Sequence, residues 1–145
     1  LGEQQTKVAT RSGREMFLLF ADLDNLKVTN DTFGHAAGDR LLCDLAALLR
    51  RTYRDSDIIA RIGGDEFVAL MVDTTDVTPE TLVARLREHV EARNRASPVP
   101  ALELSLGLAR FDPGEPAKLE DLVRSADRLM YEEKRRKRAE SRRAD

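Results

Sequence analysis

Three aspartates carry the first chemical signal in this chain. Asp22 and Asp24 close an apolar run from Met16 to Ala21, and Asp65 follows the pair Gly63-Gly64. The apolar run reads as a buried central strand with carboxylates at its C-terminal end. Two residues apart on a strand, Asp22 and Asp24 share one face. The runs Ile58 to Ile62 and Glu66 to Val72 read as a hairpin turning at the glycines, which supply the φ > 0 backbone of a tight turn. Hairpin strands flanking the first strand would bring Asp65 to Asp22. Clustered carboxylates repel unless a cation neutralises them. Hard oxygen ligands with room for water suit Mg²⁺, which commonly also takes substrate phosphates. The competing reading makes Asp22 and Asp24 caps of the next helix. Glu66 follows Asp65 directly, and successive strand residues point to opposite faces, so the two acids are expected to do different jobs.

A second constellation spans Asn30 to Asp39. Guanine presents two N–H donors beside a carbonyl acceptor. A carboxylate accepts both donors and an amide supplies the complementary contact. Asn30 and Asp39 have those chemistries, and a glycine-containing turn between them can bring them together. The competing reading again is helix capping. His35 alone reads as structural.

The elements that must position these groups follow from periodicity. A short helix is expected over Lys27 to Phe33, ended by Gly34. A longer one is expected over Ala36 to Tyr53, with Leu41, Leu42, Leu45, Leu48 and Leu49 at helical spacing. Cys43, the single cysteine, is expected to be an inert core thiol of that helix. Thr78-Pro79-Glu80 opens another helix with the stripe Leu82, Val83, Leu86 and Val90. Leu102 to Leu108 alternates as a half-buried strand. Asp112-Pro113-Gly114 makes a turn, and a last helix over Leu119 to Arg138 turns Leu122, Val123, Ala126, Leu129 and Met130 inward. The order β-α-β-β-α-β-α implies an α+β, ferredoxin-like arrangement, with helices covering one face of a mainly antiparallel sheet. Nucleotide cyclases and polymerase palm domains use this architecture.

The 145 residues suit one core. The expected division is a helical lead-in over 1–15, the remnant of an upstream segment, a domain over 16–138 and a polar tail over 139–145. A net charge of −2 gives no general case for nucleic acid or an anionic membrane. The basic run Lys134 to Arg138 lacks the interleaved aromatics that stack on bases. No nucleic-acid partner is therefore expected. With one cysteine, no run of membrane-spanning length and no signal-peptide pattern, the expected location is the cytoplasm, including the cytoplasmic end of a membrane-bound sensor.

Taken together, several strings resemble the GGDEF family of diguanylate cyclases. They are Asp22-Leu23-Asp24-Asn25-Leu26-Lys27, Asn30-Asp31, Gly34-His35, Gly38-Asp39 and Gly63-Gly64-Asp65-Glu66-Phe67. Ser105-Leu106-Gly107 and Ala126-Asp127 through Tyr131 and Lys134 continue the match. The resemblance implies a Mg²⁺-dependent enzyme, with Mn²⁺ as the alternative ion, that condenses two GTP into cyclic di-GMP and releases pyrophosphate. It implies that Asp22, the Leu23 carbonyl and Asp65 bind the metal, with Asp65 also the catalytic base and Glu66 a supporting carboxylate. Asn30, His35 and Asp39 fall to the substrate, with Asn30 and Asp39 on guanine. Lys134 and Arg138, four apart on a helix, match phosphate-binding positions. Arg54-Asp55-Ser56-Asp57 matches the family's inhibitory site for product, through Arg54 and Asp57, with five residues between Asp57 and Gly63. Catalysis by a homodimer under an upstream sensory or receiver domain is implied as well. The alternative is a degenerate domain that binds GTP or cyclic di-GMP as a regulatory module. Three departures stand out. Leu26 replaces the usual Phe, and Lys137 stands where Gly is common. The family's Asp-x-Leu-Thr-Gly-Leu-x-Asn-Arg opening is absent from Leu1 to Glu15.

Overall fold

The strand Met16–Leu23 (β1) is buried along its whole length, so both of its faces need cover. The computed structural model describes residues 15–72, 77–112 and 118–144 and supplies that cover from both sides. β1 lies inside a four-stranded antiparallel sheet with Ile58–Arg61 (β2), Glu66–Met71 (β3) and Leu104–Phe111 (β4), in the order β2-β3-β1-β4. The helices are Leu26–Phe33 (α1), His35–Thr52 (α2), Pro79–Ala96 (α3) and Leu119–Ala144 (α4). The α+β antiparallel class is the one the sequence implies.

Strand alternation divides the core. Phe17, Leu19, Ala21 and Leu23 face Leu41, Leu45 and Leu49 of α2 and Leu82 and Leu86 of α3. Met16, Leu18 and Phe20 face Leu122, Ala126 and Met130 of α4. Helices therefore cover both faces, not the single face expected. The reason sits on β4: a Cβ at Gly107 would lie 2.0 Å from the Ala126 carbonyl oxygen, so the bare backbone lets α4 lie directly on the sheet. β4 is accordingly buried on both faces, although its sequence alternates.

Other expectations need adjustment. Cys43 is exposed, because the inward face of α2 is filled by the leucine stripe. Leu129 is exposed, one position round the helix from buried Met130. β4 begins at Leu104; the buried Leu102 before it exchanges backbone bonds with the Asn94 side chain at 2.9 and 3.0 Å in place of a ladder. α4 continues to Ala144, past Arg138. Thr78 caps α3 as expected, accepting from the Thr81 N–H at 3.2 Å. The 1–14 part of the lead-in, the loop residues 73–76 and the Pro113-Gly114 part of the turn lie outside the described residues. Among the described residues no helix is long and apolar enough to cross a membrane.

Candidate active site

β1 puts its even residues toward α4, so Asp22 follows Phe20 onto that face. There it pairs with Glu66 of β3 on one side and Ser105 of β4 on the other. The turn before β3 is fixed from two directions. The Leu23 N–H donates to the Asp65 carbonyl at 3.0 Å, and the Arg61 guanidinium donates to the carbonyls of Gly63 at 3.1 Å and Gly64 at 2.6 Å. As a result one carboxylate oxygen each from Asp22, Asp65 and Glu66 lies within 4.8 Å of the others. Asp65 and Glu66 thus converge instead of diverging. Asp65 belongs to the turn, where the alternation of strand side chains does not hold. Glu66 also folds back so that its Oε2 would be 2.8 Å from a Cβ at Gly63.

Two lysines of α4 reach this ledge. Lys134 Nζ donates to Asp22 Oδ2 at 2.6 Å and lies 3.5 Å from Asp24 Oδ1. Lys137 Nζ donates to Asp24 Oδ2 at 2.9 Å and to the Leu104 carbonyl. The Ser105 hydroxyl donates to the same Asp24 carboxylate at 2.8 and 3.0 Å. Burial, opposed by Lys134 and reinforced by the nearby Asp65, pushes Asp22 up to about 6. For Lys134 burial alone would lower the pKa, but the hydrogen bond and charge of Asp22 win and raise it. Asp22 Oδ1 is buried and has no hydrogen-bond partner among the described residues. An unpartnered anionic oxygen beside two further carboxylates fits a hard divalent cation. Leu23, whose carbonyl the sequence reading adds to the ligand set, ends β1 next to Asp22. Asp24, in contrast, is already held by Lys137 and Ser105 and lies outside the carboxylate triad. Neither Asp22 nor Asp24 caps α1: the cap residue is Asn25, at φ 60°, with no side-chain cap bond.

A cavity of about 240 Å³ opens beside the ledge and is lined by Lys134, Lys137 and Arg138 together with Asp24, Asn25, Glu103 and Ser141. Arg138 is exposed there. Three cations around a small polar cavity suit a polyphosphate. The role of Lys137 in this cluster is not readable from motif matching. Its i, i+3 spacing from Lys134 is the signal that could have found it. Arg61, which ties down the turn, carries no local sequence pattern that marks it for that role.

Asn30 and Asp39 sit on α1 and α2. Asn30 Oδ1 is buried without a partner among the described residues, and a Cβ at Gly38 would lie 1.8 Å from it, so the glycine makes room for that amide. Asp39 is exposed and lines a groove of about 500 Å³ with Leu42, Cys43, Arg50, Ile59, Arg61 and Phe67. Neither residue caps a helix; Gly34 occupies the α2 cap position. His35 is exposed in the first turn of α2.

Arg54 and Asp57 form a separate turn after α2. The Asp57 side chain is 3% exposed and accepts from the Arg54 N–H at 2.9 Å and the Val72 N–H at 3.2 Å. The Arg54 side chain is 56% exposed; its guanidinium donates to the Val72 carbonyl and lies 3.7 Å from Asp57 Oδ1.

Known proteins are similar to this chain in sequence and in fold. The family description "Diguanylate cyclase, GGDEF domain" matches residues 1–140. The bifunctional diguanylate cyclase/cyclic di-GMP phosphodiesterase MucR of Pseudomonas aeruginosa is 36% identical over 133 residues, covering 91% of this chain and 19% of MucR. Diguanylate cyclase DgcP of the same organism is 35% identical, over 92% of this chain and 20% of DgcP. The chain thus spans about a fifth of the length of these relatives. Among solved structures, the GGDEF domain of DgcB from Caulobacter crescentus in complex with c-di-GMP superposes with a TM-score of 0.79 at 28% identity, covering 92% of this chain and 80% of that one. The active GGEEF domain of a Vibrio cholerae diguanylate cyclase gives 0.80 at 26% identity, covering 93% and 86%. With a match over nearly its whole length, in sequence and in fold, this chain belongs to the diguanylate cyclase GGDEF-domain family.

Proposed function

We propose that this domain is one half-site of a diguanylate cyclase, joining two GTP molecules into cyclic di-GMP. The observation that carries the reading is Asp22 Oδ1, a buried carboxylate oxygen without a partner among the described residues, set with Asp65 and Glu66 and faced by Lys134. Asp22, Asp65 and the Leu23 carbonyl would hold Mg²⁺, with Mn²⁺ as the alternative. The ion, when bound, supplies charge to acidify the attacking 3′-hydroxyl and stabilise the leaving pyrophosphate. Glu66 supports Asp65.

The chain's own groups do the rest. Asn30 and Asp39 read the guanine edge, and His35, at the start of α2, belongs to the same substrate set. Lys134 and Arg138 hold the triphosphate. Asp65 accepts the proton of the 3′-hydroxyl as its oxygen bonds to the α-phosphorus of the other GTP. The α–β phosphoanhydride bond breaks, and pyrophosphate leaves with the electron pair. One domain presents one GTP, so two copies must meet with two-fold symmetry for both attacks. Product binding at Arg54 and Asp57 would restrain the enzyme. The short share of its relatives that the chain spans fits a domain, over 16–138, driven by a sensory or receiver domain in the cytoplasm. No nucleic-acid partner enters this reading.

The test is incubation of the chain with GTP and Mg²⁺ and identification of the product by mass. At saturating GTP, initial rates of a chain shown to be monomeric should rise nearly as the square of protein concentration. A fused parallel coiled coil should make them near-linear. GTP binding without product from the fused dimer would overturn the cyclase reading in favour of a regulatory module.

A further inference from the structure

The two lysines of α4 divide the carboxylate ledge unequally. Lys134 is shared between Asp22 at 2.6 Å and Asp24 at 3.5 Å. Lys137 is committed: its ammonium meets Asp24 Oδ2 at 2.9 Å, the Leu104 carbonyl, and Glu133 Oε1 at 3.5 Å. A half-buried ammonium that donates to a carboxylate and a buried backbone carbonyl has little freedom to leave them. Lys134 must behave differently. If a cation takes Asp22 and phosphate enters the neighbouring cavity, Lys134 has to pass from carboxylate to phosphate.

We propose that Lys137 is a positioning residue that neutralises much of the charge of Asp24, so that Asp22 stays the dominant partner of Lys134 and Lys134 remains transferable to nucleotide phosphate. Without Lys137, Asp24 becomes a second strong partner for Lys134 and adds an uncompensated negative charge to the ledge. The two consequences have opposite signs. A divalent cation is attracted more strongly to the more negative ledge, whereas a polyphosphate loses both the field of Lys137 and the availability of Lys134. A purely structural role for Lys137 would weaken both or neither. The inference rests on the nucleotide reading above for its phosphate arm, but the cation arm stands on the ledge alone.

The experiment measures two affinities on the full chain. One is Mn²⁺ without nucleotide, followed by its electron paramagnetic resonance signal. The other is 3′-deoxy-GTP, which cannot cyclise, titrated at saturating Mg²⁺. Lys137→Gln should bind Mn²⁺ roughly threefold to tenfold more tightly and 3′-deoxy-GTP weaker by a similar factor, the effect of one unit charge several ångströms away. Lys137→Arg should keep both near wild type. Asp24→Asn should shift both in the reverse sense, and Asp24→Asn/Lys137→Gln should return both toward wild type. Unchanged or weaker Mn²⁺ binding by Lys137→Gln overturns the inference, as does an arginine variant that behaves like the glutamine one. Should Lys137→Gln fail to fold, Asp24→Asn decides alone, because tighter Mn²⁺ binding by it is equally fatal. If wild type binds no 3′-deoxy-GTP, the nucleotide reading fails, while the Mn²⁺ arm still decides whether Lys137 sets the charge of the ledge.

Discussion

Two acidic turns of this domain are built on opposite principles. At the Arg54–Asp57 turn the carboxylate is buried and both of its oxygens accept backbone N–H groups from the turn and the end of the neighbouring strand. Both oxygens are thus already engaged by the backbone within the fold. At the end of β1, three carboxylates converge from a strand end, a turn and a second strand, and a lysine from a helix more than a hundred residues away opposes them. There one oxygen stays unpartnered among the described residues, and three carboxylates face Lys134. Leaving a buried acceptor unmade costs stability, so such a group points to a partner brought from outside. The contrast separates a carboxylate that holds the fold from one held by it.

The largest expected effect tests the second kind. Asp65→Ala should lower cyclic di-GMP formation by about 10³-fold or more, the scale of losing a general base at a metal site. Circular dichroism should be unchanged, since the Asp65 contact to β1 runs through its backbone carbonyl. Turnover like wild type would break the comparison at once.

Next comes the packing that brings α4 to the ledge. Gly107→Ala places a methyl 2.0 Å from the Ala126 carbonyl oxygen and 2.4 Å from the Met130 nitrogen, both backbone atoms. The helix must shift, and urea unfolding should report a loss of roughly 3 kcal/mol. Nucleotide affinity should fall with it, because Lys134 rides on that helix.

The Arg54–Asp57 turn can be divided by two substitutions. Asp57→Ala orphans two backbone donors and should cost about 2 kcal/mol in urea unfolding. Arg54→Ala, at an exposed side chain, should change stability by no more than about 0.5 kcal/mol. It should nevertheless weaken cyclic di-GMP binding in calorimetric titration while sparing GTP. Unaltered product affinity would remove Arg54 from the inhibitory site and leave the turn purely structural.

The smallest effect is a proton linkage. Asp22 has its pKa raised from 3.8 to about 6, chiefly by burial. A raised carboxyl pKa means that the folded state favours the protonated form. Its favourable contribution is complete below about pH 4 and is lost as pH rises through about 6. In metal-free buffer, Asp22→Asn should therefore be more stable than wild type above about pH 6, and the two melting curves should converge toward pH 4. The same variant should not form product. A wild type that gains stability over this interval relative to the variant would show that Lys134 fully compensates Asp22.

The class of the fold and the meeting of Asp22 with Asp65 were legible in the sequence. An apolar run ending in Asp22 and Asp24, a Gly-Gly turn ending in Asp65, and leucines at helical spacing are local patterns, and local patterns report strands, turns and helix faces directly. The remaining features depend on which surfaces meet. The alternating residues of Leu104 to Leu108 read as half-buried until α4 is seen lying on Gly107, which buries both faces. Cys43 reads as a core thiol until the leucine stripe of α2 is oriented against the sheet and turns it out. Asp65 and Glu66 read as diverging until the turn aims both at Asp22. Most of all, the choice of Asp22 for Lys134 and Asp24 for Lys137 depends on the register of a helix against a strand more than a hundred residues earlier. Charge pairing across that separation is set by packing of the apolar face beneath it, and no spacing along the chain encodes it.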